Sequence, residues 1–70
     1  MSDPVYKKVE IVGTSTVSVE EAIANGVAAI AQTGGGKADW FEVQEVRGHI
    51  TNGKPSQYQV VLKVGIHIGA

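Results

Sequence analysis

The sequence predicts an α+β domain with the element order β-α-β-β, and three stretches carry that prediction. From Gln57 to Ile68, Tyr58, Val60, Leu62, Val64, Ile66 and Ile68 alternate with Gln57, Gln59, Val61, Lys63, Gly65 and His67, the period-two pattern of a strand. Val19, Ile23, Val27 and Ile30 fall at i, i+4, i+8 and i+11, one stripe of an amphipathic helix. Asp39-Trp40-Phe41-Glu42-Val43-Gln44-Glu45-Val46-Arg47-Gly48 is rich in β-branched and aromatic residues and is flanked by turn-forming segments. These elements fit a single domain over 1–70, with an N-terminal arm at 1–4, a helix over about 19–33 and a long hairpin over about 39–68.

The first strand alternates Val5, Lys7, Val9 and Ile11 with Tyr6, Lys8, Glu10 and Val12, and is expected to end at Gly13. Gly13-Thr14-Ser15-Thr16 then reads as a polar turn. Ser18-Val19-Glu20-Glu21 matches a capping box, with Ser18 accepting from the amide three residues on and Glu21 reaching back. The helix should stop in Gly34-Gly35-Gly36, where a left-handed glycine closes the last turn. Its remaining faces carry Ala22, Ala24, Ala28, Ala29 and Ala31 with few charges, a smooth surface suited to a neighbouring subunit.

In the second strand Phe41 and Val43 have one parity, and Val46, Gly48 and Ile50 the other. A β-bulge near Gln44-Glu45 would return all five to one face. Thr51-Asn52-Gly53-Lys54-Pro55-Ser56 is the hairpin turn, signalled by Asn-Gly. Trp40 and Phe41 are neighbours on a strand and must point to opposite faces. One helix covers one face, so Phe41 beneath it leaves the Trp40 indole on the uncovered side with Gln59, Val61, Lys63 and His67. A bare indole there serves either a subunit contact or a flat ligand.

Composition excludes several classes of function. Six Lys and Arg against seven Asp and Glu give a net charge of −1, with no basic footprint for nucleic acid. No stretch approaches the roughly 20 apolar residues of a membrane span, and Met1-Ser2-Asp3-Pro4 lacks signal-peptide character. A cytoplasmic location is the expectation. There is no cysteine, and His49 and His67 lack metal-ligand spacing, so no metal site is expected. Gly34-Gly35-Gly36-Lys37 follows a helix where a phosphate loop would precede one. The serines lie in turns or at the helix cap, which gives nucleophilic catalysis no support. Arg47, two residues from Glu45, reads either as a surface ion pair or as a hydrogen-bond fork for a ligand.

Taken together, Val5-Tyr6-Lys7-Lys8-Val9-Glu10, Gly13-Thr14-Ser15, Glu21-Ala22-Ile23, Trp40-Phe41-Glu42-Val43, Arg47-Gly48, Tyr58-Gln59-Val60 and Leu62-Lys63-Val64-Gly65 resemble a dodecin from Val5 to Ile68. The resemblance implies a three-stranded antiparallel sheet wrapped around one helix, assembled as a hollow homododecamer. It implies a flavin-binding storage and sequestration protein, not an enzyme. In it Trp40 side chains stack on paired isoalloxazines across a two-fold axis and quench their excited state, and Gln59 bonds the pyrimidine edge.

Arg47 joins Trp40 and Gln59 as a candidate binding residue. Riboflavin, FMN, FAD and lumichrome are the candidate ligands, with coenzyme A as a further possible partner. At about 3.3 Å per residue, Trp40 and Gln59 stand about 20–25 Å apart in one hairpin, so different subunits must bring them to one ring. Two departures bear on ligand choice. The segment from Gly34 to Asp39 replaces a more usual Leu-Arg-containing loop, and His67 stands where many members carry arginine, so any positive charge there requires protonation. The competing readings are a purely structural oligomer whose Trp40 packs against its own copies and a flavin-dependent enzyme.

Overall fold

The structure, a computed structural model, describes residues 3–33 and 35–69. Four elements follow in order: β1 (Val5–Ser15), α1 (Val19–Thr33), β2 (Lys37–Thr51) and β3 (Lys54–Gly69). The strands form one antiparallel sheet in the order β1-β3-β2. This is the expected β-α-β-β arrangement, and the helix limits coincide with the predicted ones. Met1, Ser2 and Gly34 of the expected arm and glycine loop lie outside the described residues.

Two strand limits differ from expectation. β1 runs past Gly13 to Ser15, because Gly13, Thr14 and Ser15 pair with Val60, Gln59 and Tyr58. Long-range pairing overrides a segment that looks locally like a turn. β2 starts at Lys37, opposite His67, where the sequence pattern places the start near Asp39. The bulge expected at Gln44-Glu45 is present: the register steps from Val43↔Leu62 to Glu45↔Val61 and leaves Gln44 unpaired. Further shifts occur between Ala38 and Trp40 and between His49 and Ile50.

Half of the capping box forms as predicted. The Glu21 amide donates to Ser18 Oγ at 3.0 Å. The other half changes partner, since the Glu21 carboxylate accepts from the Ser15 hydroxyl at 2.7 Å. Ser15 Oγ in turn accepts from the amides of Val17 at 2.9 Å and Ser18 at 3.3 Å. One buried hydroxyl thus ties the end of β1 to the start of α1. At the other end Gly35 takes φ +76°, the left-handed glycine anticipated after Thr33.

Ala22, Val60, Leu62, Val64 and Ile66 form the core, with Val9, Ile11, Val19, Ile23, Val27, Ile30 and Ala38 packed around it. The helix therefore does not bury its largest residues deepest. Ala22 and Gly26 are the buried pair, flanked by the predicted apolar stripe. Ala22, placed by the pattern on an outer face, is the centre of the contact. The reason is close approach: a Cβ on Gly13 would overlap the Ala22 carbonyl oxygen and come within 3.2 Å of Gly26 Cα, so the strand can pass this close to the helix only as glycine.

The helix is about 22 Å long at 1.5 Å per residue, whereas the chain extends 57 × 19 × 13 Å. It cannot cover the sheet. β2, one of the two edge strands, buries none of its residues. Phe41 stands on the helix side as predicted, opposite buried Val64, yet it stays 47% exposed. Val43, Val46 and Ile50 are similarly bare. Among the described residues, no helix is long and apolar enough to cross a membrane.

Candidate functional site

The sheet face turned away from α1 is a ladder of cross-strand rungs, and the residues singled out from sequence lie on it. Lys8 pairs with Gly65, and Gly65 pairs with Trp40. Tyr6, His67 and Lys37 make the rung on one side; Glu10, Lys63 and Glu42 make the rung on the other. Farther along, Thr14, Gln59 and Arg47 form another.

Gly65 decides how Trp40 sits. A Cβ built on Gly65 would overlap Cε2, Cζ2 and Cδ2 of the indole at nearly equal approach, so the ring lies with one face against the strand. The Tyr6 ring stands beside it at 6.1 Å and 51°, and the Lys8 ammonium is 5.7 Å from the ring centroid. Lys8 is also paired with Glu42 at 2.7 Å, and Tyr6 reaches His67 at 5.3 Å. The indole is supported on one face by the strand, has the Lys8 ammonium over its ring, and leaves 39% of the residue exposed.

This geometry makes Gly65 a positioning residue that sequence reading passed over. The available signal was a glycine inside a strong strand, opposite an aromatic. Gly65→Ala should leave the fold intact but tilt the indole off the sheet. We expect ligand stacking to weaken at least about tenfold, corresponding to roughly 1.4 kcal/mol. Tryptophan fluorescence anisotropy would report the loosened ring, and unchanged anisotropy together with unchanged binding would refute the role.

The polar end of the face is equally ordered. Arg47 Nε donates to Gln59 Oε1 at 2.8 Å, and Gln59 Nε2 donates to Gln57 Oε1 at 3.1 Å. Arg47 Nη1 reaches Glu45 Oε1 at 3.5 Å. Two of the three candidate residues therefore meet, Arg47 with Gln59. Trp40 does not join them, because Gly65 and Gln59 lie six residues apart on β3, about 20 Å at about 3.3 Å per residue.

Neither of two clefts among the described residues joins them. A cleft of about 90 Å³ borders Trp40, Phe41, Ala38 and Val27. A second, of about 310 Å³, borders Arg47, Val46, Ile50 and Tyr58. The first is smaller than the pockets of several hundred Å³ that enclose organic cofactors, and the second excludes Trp40. Among the described residues no group of histidines and carboxylates is arranged to hold a metal ion.

Comparison with known proteins places this arrangement. The dodecin family profile matches residues 5–68. A dodecin from Thermus thermophilus is 48% identical over 64 residues, covering 91% of this chain and 91% of its own. The structure of a dodecin from Streptomyces davaonensis superposes with a TM-score of 0.90 at 42% identity, over 99% of this chain and 100% of that one. A dodecin from Streptomyces coelicolor gives 0.89 at 43% identity, over 100% and 99% of the two chains.

Proposed function

The chain belongs to the dodecin family, and on that premise we propose that it binds flavins between subunits of a hollow dodecamer, as a storage and sequestration protein rather than an enzyme. Trp40 stacks on the isoalloxazine, paired flavins lie between two such indoles across a two-fold axis, and Gln59 with Arg47 serves the pyrimidine edge. The indole, an electron-rich ring in contact with the flavin, quenches its excited state. Riboflavin, FMN, FAD and lumichrome share the tricyclic ring and imide edge that such a site grips, so all four are ligands of one site in this reading. The protein acts in the cytoplasm.

The observation that carries this reading is the Trp40 indole lying on Gly65 while 39% of the residue stays exposed. A side chain placed to pack inside its own protomer would be covered; this one is displayed. Gln59 fits its assigned part, since an amide offers an acceptor beside a donor and an imide edge offers the converse. Assembly is supported by the apolar residues of β2 (Phe41, Val43, Val46 and Ile50), which remain 44–76% exposed among the described residues. Their burial against other copies supplies the core area that a 70-residue chain lacks by itself.

Because Trp40 and Gln59 are so far apart within one chain, they can grip one ring only from different subunits. Riboflavin added to the intact assembly should lose its fluorescence, and dissociating the assembly should restore it. Parallel light scattering and riboflavin titration across a dissociation series checks this. Retention of affinity in the monomer would rule out the intersubunit site, and an assembly that leaves riboflavin bright would favour the purely structural reading.

A further inference from the structure

We infer that Arg47 acts on the ligand through Gln59, as a positioning residue that fixes which atom of the Gln59 amide lies where. The inference rests on the flavin reading above and deepens it. The two side chains face each other across one rung of the β2–β3 ladder, and Arg47 Nε donates to Gln59 Oε1 at 2.8 Å.

The chemistry of the guanidinium makes this contact directional. Arginine carries five N–H donors and no acceptor, and it stays protonated throughout the working pH range. The Gln59 atom beside it must therefore be the oxygen, because the reversed amide would set N–H against N–H. Gln57 cannot impose this choice. Its own amide accepts from Gln59 Nε2 at 3.1 Å, but it can turn over together with its neighbour and present the other atom. Glu45 steadies the guanidinium from its far side, with Oε1 3.5 Å from Nη1.

With these bonds made, Gln59 retains one lone pair on Oε1 and one N–H on Nε2, in a fixed order. An acceptor followed by a donor complements the N–H and adjacent C=O of an imide. Trp40 by itself stacks on any flat ring. The Arg47–Gln59 pair adds the requirement that the ring present an imide N–H at its edge. Arg47 thus determines specificity without touching the ligand.

The test is fluorescence titration of the assembled protein with riboflavin and with N3-methylriboflavin, which lacks that N–H. The parent should prefer riboflavin by about tenfold, the value of a neutral hydrogen bond at the upper end of its usual range. Arg47→Met should abolish most of that preference. Arg47→Gln serves as a second variant, since it keeps a hydrogen-bonding amide that can present either atom, and it should lose the preference as well. In a Gln59→Leu background, Arg47→Met should cause no further loss of riboflavin affinity.

Undiminished preference in both Arg47 variants would overturn the inference. So would an Arg47→Met effect that persists without Gln59, because Arg47 would then touch the ligand itself. A parent that binds both compounds equally removes the imide contact and the inference with it. A parent that binds neither defeats the flavin reading instead.

Discussion

Trp40→Ala should yield a folded, assembled protein whose affinity for riboflavin is lower by about a hundredfold. Stacking of a planar heterocycle on an aromatic side chain is worth about 1–3 kcal/mol by alanine substitution, and the upper end applies where the ring is enclosed on both sides. About 3 kcal/mol corresponds to somewhat more than a hundredfold. Folding should be spared because Trp40 lies on an edge strand and has no part in the core. What it loses within the chain is its seat on Gly65, which leaves no core cavity, together with a tilted contact with Tyr6 and a distant one with Lys8, these last two each worth about 1 kcal/mol or less. Trp40→Phe keeps a smaller face and should fall between, at about a tenfold loss. Riboflavin titration gives the affinities, and residual fluorescence at saturation reports quenching separately. An alanine variant within about threefold of the parent would show that the indole is not the platform.

The elements most legible in the sequence are those whose pattern and tertiary environment agree. Ser18 marks the helix start because its hydroxyl accepts a bond in the first turn, and that bond forms whatever the helix packs on. β3 is legible because it is the central strand: Val60, Leu62, Val64 and Ile66 are all buried on the helix side, so apolar residues recur at every second position even though Val61 is buried on the other face. The bulge at Gln44 follows from parity alone, since without it Val46 and Gly48 would face the wrong side.

Where the chain makes close approaches, the hydrophobic pattern misleads. Ala22 and Gly26 carry little apolar weight, so a stripe of Val and Ile outranks them, yet small size is what a helix needs to reach Gly13. Gly65 is hidden for the same reason: its contribution is an absent Cβ, visible only once Trp40 lies over it. Arg47 and Gln59 were each legible as polar residues of the open face. Their contact was not, because it depends on how many residues the bulges take out of register between Trp40 and the turn.

The largest effect on folding belongs to Gly13→Ala. Gly13 is buried where β1 passes beneath the helix, and an added Cβ would overlap the carbonyl oxygen of Ala22 and come within 3.2 Å of Gly26 Cα. Every obstacle is backbone, so no rotamer relieves the clash. The helix must lift from the sheet and carry Ala22 off the core. Such overpacking against a rigid neighbour costs about 3 kcal/mol or more, a large share of the 5–15 kcal/mol typical of folded domains.

Gly26→Ala is the control, because its new Cβ would meet chiefly the end of a flexible side chain, Leu62 Cδ1 at 3.1 Å, with Gly13 Cα at 3.3 Å. There, helix propensity returns about 1 kcal/mol, and the net cost should be near 1 kcal/mol or less. Urea unfolding at several protein concentrations separates the two. Gly13→Ala should fold only when assembly at high concentration draws the equilibrium toward the native state, whereas Gly26→Ala should remain close to the parent at every concentration. Equal costs for the two substitutions would mean that the Gly13 crossing is not the contact that seats the helix.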